Sequence, residues 1–398
     1  MKQNLAAGEA APPPVTEASE SGPPAGETPG NESPERQEPV VRVTDPVSLL
    51  AVVPHLLTFQ PSDSLVVIGT APPRGQVRLT LRYDLPDPAG PDIAAEIARH
   101  AAGVLGAQGI ETAAAVGYGP GPRVTPVADA LRECAAEAGL RITELLRAEN
   151  QRYWSYLCTN PGCCPAEGTP YPADDPAAGA LAAAGRPVLA SREELAATLA
   201  PVTGADAELM RQSTRRAEEH AVRLIDRTMR TGRRGAARRL IAVTGVDAVA
   251  EAIAASQRGE TVPAGPAAAW LTVVLQDLRV RDDAWCRMEP EHRTEHLRLW
   301  TGLTRLAQPG YVAAPASLLA FVAWQSGNGA LANVALDRAL SDNPRYTMAQ
   351  LLRQAIDSGA PPSLARIPMT PEEVAASYEE AWNEAEGDDD ARDDGACG

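Results

Sequence analysis

The chain has 398 residues, 44 % of them hydrophobic but only 4 % aromatic, and a net charge of −16. That is enough for two domains with tails and for cores built of Ala, Leu, Val and Ile. The only lysine is Lys2, which excludes mechanisms that need a lysine in a folded region, such as Schiff-base formation or a phosphate-binding P-loop.

The charge is uneven. Residues 1–44 hold seven Glu against Lys2, Arg36 and Arg42, and residues 384–398 hold seven acids against Arg392. The middle is then only mildly acidic, which makes general nucleic-acid affinity unfavourable. No apolar run reaches the roughly 18 residues of a spanning helix, so no membrane span is expected. The N-terminus lacks the basic-then-apolar order of a signal peptide. A cytoplasmic location with reduced cysteines follows as the expectation.

In chain order, residues 1–40 are rich in Pro, Gly, Glu, Ala and Ser and read as a disordered tail. Asp45 then caps a helix that begins at Pro46, with Leu49, Leu50, Val53, Leu56 and Leu57 as its apolar stripe. Pro54 is expected to kink or end it. After a turn at Pro61-Ser62-Asp63, the run Leu65–Ile68 reads as a strand buried on both faces. Val77, Leu79 and Leu81 alternate with polar residues in a strand with one wet face. A helix over 92–105, a strand over 112–118, a helix over 124–138 and strands over 142–147 and 152–157 follow. This order predicts an α/β domain with a mixed sheet and flanking helices, residues 41–185.

Residues 159–180 are rich in Pro and Gly and read as an ordered loop or link. From Ser191 only helical windows occur: 191–200, 206–231, 235–258, 264–279, 289–307, 314–326, 329–342, 346–358 and 370–384. Residues 186–384 are therefore predicted to be an all-α domain, with 385–398 a disordered acidic tail. Ala323, Trp324, Gly327, Ala332, Ala335, Leu336, Ala339, Leu340 and Pro344 match a tetratricopeptide-like helix pair, without a second copy at that period.

Three stretches, PHLLTFQPSDSLVVIG, RYWSYLCTNPGCCPAEGTP and AAPASLLAFVAWQSGNGALANVALDRALSDNPRYTMAQLL, resemble the motifs of an actinobacterial family of unknown function. The resemblance covers most of Asp45 to Pro362. It departs at Thr58, where that family usually carries glycine, and it implies no activity.

Four constellations could carry chemistry. Cys158, Cys163 and Cys164 flank a Pro-Gly turn; three thiolates at this spacing could hold zinc, with His55 or another side chain as fourth ligand. The alternatives are redox chemistry and small reduced thiols packing a loop. His292, Glu295 and His296 fit the H-x-x-E-H pattern of a zinc-dependent hydrolase, although an amphipathic helix with solvated charges fits as well. Gly117, Gly119 and Gly121 follow a strand and precede a helix, where α/β domains place ligands, but Pro120 and Pro122 break the dinucleotide fingerprint. Finally, Arg211 to Arg239 holds ten arginines against three acids, with Leu209, Val222, Leu224, Ile225 and Met229 as the expected apolar side of the first helix. Solvent, the acidic C-terminus or nucleic-acid phosphate could face those arginines.

With no strong catalytic signature, the leading expectation is a binding or regulatory protein with a helical interaction module and a protein partner. The alternative is an enzyme or small-ligand binder using a cysteine-lined site.

Overall fold

The computed structural model describes residues 43–72, 75–87, 90–172, 175–183, 188–230, 234–365 and 369–394. The expected tail over 1–40 lies outside these residues. Asp45 opens α1 (Pro46–Leu57) with a capping box: its carboxylate accepts from the Ser48 N–H at 2.9 Å, and the Ser48 hydroxyl accepts from the Asp45 N–H at 3.2 Å. Pro54 does not end this helix, which runs through it to Leu57. Burial outweighs the defect. An internal proline costs about 3 kcal/mol, whereas Leu49, Leu50, Val52, Val53 and Leu57 are all buried, each worth about 1.5–3 kcal/mol. α1 closes on Thr58 at φ 64°, in the left-handed region, which is where glycine is favoured.

Six strands follow: β1 (Ser64–Ala71), β2 (Gln76–Asp84), β3 (Thr112–Tyr118), β4 (Arg141–Glu149), β5 (Arg152–Ser155) and β6 (Thr169–Pro170). They form one mixed sheet in the order β2-β1-β3-β4-β5-β6. Only the β3–β4 pair is parallel. The crossover that joins it is α3 (Gly121–Glu137), while α2 (Pro91–Ala107) leads from β2 to β3. β1 is an interior strand between β2 and β3, and Leu65, Val66, Val67 and Ile68 are all at most 2 % exposed, as the unbroken apolar run requires. Gly69 is tied to the packing of α2, since a Cβ there would meet Leu105 Cδ2 at 2.6 Å. The β4–β5 hairpin turns on Asn150 and Gln151, both at positive φ.

Beyond β6 come α4 (Pro176–Ala183), α5 (Arg192–Ala197), α6 (Gly204–Met229), α7 (Arg234–Gln257), α8 (Pro266–Val274), α9 (Leu278–Cys286), α10 (Arg293–Leu306), α11 (Ala313–Gln325), α12 (Gly329–Asp342), α13 (Thr347–Asp357) and α14 (Pro371–Asp394). Among the described residues no strand follows Pro170. The window expected over 264–279 holds α8 and only the first two residues of α9, which runs on to Cys286, beyond any helix the sequence pattern predicts. Asp277 caps the second, its side chain accepting from the Arg279 N–H at 2.9 Å. The link over 159–180 carries β6 and the start of α4. α14 runs to Asp394, into the segment expected as a tail from 385, and 395–398 lie outside the described residues.

One reading of a helix face needs correction. On α6 the buried side is Met210, Ser213, Thr214 and Ala217, because it packs on α8. Leu209, Val222, Ile225 and Met229 are 38–54 % exposed. In α7, Ala236–Gln257 is long and apolar enough to cross a membrane by length and composition, and 28 % of its most apolar window is buried. It is the one such helix among the described residues.

Two apolar clusters hold the elements together. One lies between the sheet and α2 and α3, built on Leu65, Val67, Ala113, Ala115 and Leu145 with Ala98, Leu105 and Leu131. The other starts on the opposite sheet face at Val66, Ile68, Val116 and Leu146, takes in α1, and continues into the helices through Trp300, Leu318, Phe321, Leu336 and Leu352. Backbone bonds also tie Leu189 to Thr58 and Gln60, at 3.0 and 2.9 Å.

Candidate functional site

The cysteine segment leaves the sheet at the end of β5. Its first turn is fixed by Ser155, whose Oγ accepts from the Leu157 and Cys158 N–H groups, both at 3.2 Å. The Pro161-Gly162 turn then folds back. The Asn160 carbonyl accepts from the N–H of Cys163 at 3.1 Å and of Cys164 at 2.8 Å, and the Asn160 side chain accepts from the Gly162 N–H at 2.9 Å. As a result the sulfurs of Cys158, Cys163 and Cys164 all lie within 4.8 Å of one another. Among the described residues this is the one group of three metal-type donors brought so close.

The return path is also held. Trp154 Nε1–H donates to the Ala166 carbonyl at 2.9 Å, and Arg152 donates to the Gly168 carbonyl at 2.6 Å. Gly168 sits at φ +80°, and a Cβ there would lie 2.5 Å from the Trp154 ring, so only glycine fits. Arg147, the cross-strand neighbour of Trp154, stacks on the same ring, 3.5 Å from guanidinium carbon to ring centroid.

The three thiols are free and chemically unequal. A hydrogen bond between Cys164 and Cys158 holds the Cys158 thiol below its usual value and pushes Cys164 up to about 12. Two groups stand beside them. Burial and the Asp45 charge raise the Glu144 carboxyl, and this carboxyl acts on Cys158. Burial raises the Tyr153 phenol, which feels Cys164, Cys163 and Glu144. Continuing the β4–β5 register, in which Leu146 faces Ser155, sets Glu144 across from Leu157. The alternation of a strand leaves no trace of that proximity in the sequence.

The remaining candidates fall elsewhere. His55 is buried on α1 and stands outside the sulfur cluster. Gly117 serves packing, since a Cβ there would meet Val124 Cγ1 at 2.2 Å as α3 crosses β3. Gly119 is at φ +132°, and Gly121 abuts the Arg147 guanidinium. Their loop is pinned by Arg123, which pairs with Asp63 and with Asp87, the latter at 2.6 Å. Of the H-x-x-E-H residues, His292 ends a 3₁₀ turn, half-buried and 3.7 Å from Glu289. His296 is 1 % exposed. Its ring makes no well-aligned hydrogen bond, and burial lowers it to about 4. Trp300 and Thr304, one and two turns on, carry equally unpartnered polar atoms. His292, Glu295 and His296 therefore do not converge as a metal cluster: His292 sits half-buried on the 3₁₀ turn before α10, and His296 points from the helix into the core.

Two concavities lie in the helical half. One, of about 420 Å³, is lined by Ser256, Glu260, Val262, Leu297, Thr301 and Arg305. The other, of about 280 Å³, is lined by Trp285, Trp324, Met348, Leu351, Leu352 and Leu364.

A family model, Domain of unknown function (DUF4192), matches residues 46–363. The chain belongs to this family. The DUF4192 match opens at the first residue of α1 and closes in the 3₁₀ turn Pro362–Ala365, so it takes in the sheet, the cysteine segment and the helices through α13, and leaves α14 outside. No curated protein and no solved structure matches the chain.

Proposed function

We propose that the chain is a binding protein whose α/β half carries a thiolate site for a soft divalent metal of the zinc class. The mutual approach of the three sulfurs carries this reading. Thiolates at about 2.3 Å from a tetrahedral ion stand roughly 3.8 Å from one another, so the segment needs to contract by no more than about 1 Å. Cys163 is exposed, which gives an ion an entry path. Sulfur donors select zinc over magnesium or calcium, and reduced thiols suit a compartment such as the cytoplasm. Purified protein is expected to carry one equivalent of zinc by elemental analysis. Cys163→Ser and Cys158→Ser should each lose most of it without loss of helicity. Wild-type protein that stays metal-free after incubation with stoichiometric zinc would end the proposal.

A second reading concerns the helical half, as an adaptor for a protein partner with α11 and α12 as a tetratricopeptide-like pair. The groove at Trp285, Trp324 and Met348 favours it, since Leu351 and Leu364 are 60 % and 75 % exposed on its rim. A Leu351→Asp variant that retains every partner of the wild type in a pull-down would remove its support.

A further inference from the structure

α6 and α7 follow one another, pack together and carry the basic stretch of the chain. Along the second half of α6, Val222 is 54 % exposed, Ile225 38 % and Met229 48 %. On α7, Leu240 and Val243 are 36 % and 46 % exposed. Single exposed aliphatic residues are ordinary, whereas five on two adjoining helices make a patch that wants a partner. Arg211, Arg215, Arg216, Arg223, Arg227 and Arg230 are all exposed on or at the end of the same helix. Six arginines against Glu218, Glu219 and Asp226 leave +3 over residues 211–230. The ion pairs of these arginines stay within α6, from Arg211 to Glu208 and from Arg223 to Glu219 at 3.7 Å. On α7, Arg239 pairs with Glu379 of α14 at 2.8 Å, and Asp247 and Glu251 are exposed beyond Val243, so the free positive charge lies on the α6 side of the face. On α7, 28 % of the most apolar window is buried, and Leu240 and Val243 are its exposed aliphatic residues.

We infer that the α6–α7 face docks on an anionic lipid surface, lying along it rather than spanning it. Exposed aliphatic side chains would enter the acyl boundary while the neighbouring guanidinium groups meet lipid phosphates, the division of labour of an interfacial basic helix. Charge complementarity and the interleaved aliphatics select this occupant. A nucleic acid would engage the arginines but leave five aliphatic side chains in water, with no aromatic ring on the patch for stacking. A second copy of the same face would bring like charges together. α7 stays on the surface because its other sides pack on α8, α9 and α10. The proposal is independent of the thiol site.

The test is flotation of the full-length chain with vesicles of phosphatidylglycerol and phosphatidylcholine, and with vesicles of phosphatidylcholine alone. Binding should be confined to the anionic vesicles and should weaken as salt rises. Each arginine near such a surface contributes about fivefold in affinity, so Arg223→Gln with Arg227→Gln should weaken binding about 25-fold. Ile225→Ser with Met229→Ser should also weaken it at least about tenfold. All four side chains are exposed, so circular dichroism should stay unaltered in both double variants, and the two pairs check each other if one of them misfolds. Failure to float with anionic vesicles, equal flotation with neutral ones, or unaltered binding in both double variants would overturn the proposal. So would duplex DNA binding, or a dimer dispersed by the aliphatic pair, without vesicle binding.

Discussion

Leu50→Ala probes how the sheet and the helices hold together. Leu50 is 3 % exposed on α1 and belongs to the apolar cluster that runs from Val66 and Ile68 on the sheet to Trp300 and Phe321 in the helices. The substitution removes three methylene-sized groups, about 2.4 kcal/mol of transfer free energy. The cavity left behind raises the cost to about 3–4 kcal/mol. Unfolding entropy near 2.1 cal/mol/K per residue, over the roughly 340 described residues, gives about 0.7 kcal/mol per degree. The melting temperature should then fall by about 4–6 °C. The decisive assay is native-state hydrogen exchange read on peptides from β1 and from α11, alongside thermal unfolding by circular dichroism. Because the cluster is continuous, protection in both peptides should drop together. If β1 loses protection while α11 keeps its wild-type stability, the shared cluster does not couple the two halves, and the energetic reasoning fails.

Two further outcomes follow from single residues. Thr58→Gly should stabilise the chain by about 1 kcal/mol, because a β-branched residue at φ 64° is strained and the Thr58 hydroxyl is buried without a partner; an unaltered or lowered urea midpoint would contradict this. His296 has a folded-state value of about 4, below its ordinary 6.5, mainly through burial and then the charge of His292. Its neutral ring therefore supports the fold fully above pH 6.5, and that support is lost as pH falls from 6.5 towards 4, on the order of 3 kcal/mol at the acid end. His296→Leu should flatten this part of the pH profile, and an equally steep profile in the variant would refute the assignment.

Much of the α/β half was legible because its signals are local. Asp45-Pro46 announces a capped helix, the run Leu65–Ile68 a doubly buried strand, and the alternation at Val77, Leu79 and Leu81 a one-sided strand. The same logic failed where burial overrules local preference. Pro54 is carried inside α1 by the apolar side chains around it. The buried side of α6 is its small and polar one, Ser213, Thr214 and Ala217, because α8 lies there. The cap at Asp277 that divides α8 from α9 is a single residue in a helical composition.

The candidate sites divide in the same way. The spacing of Cys158, Cys163 and Cys164 around Pro161-Gly162 already made a three-thiol cluster conceivable, since a tight turn acts within a few residues. The sequence alone settled which residue types were available: no lysine beyond Lys2, one cysteine-dense segment, one arginine-dense stretch, and a strand-rich half before a helix-rich one. Tertiary structure alone decided who meets whom. It set Glu144 and Tyr153 beside the thiols and left His55 outside them, turned His292 and His296 apart, and brought Val222, Ile225 and Met229 to the surface among the arginines. Those outcomes depend on strand register and helix rotation, which are fixed by contacts between residues far apart in the chain and leave no local pattern to read.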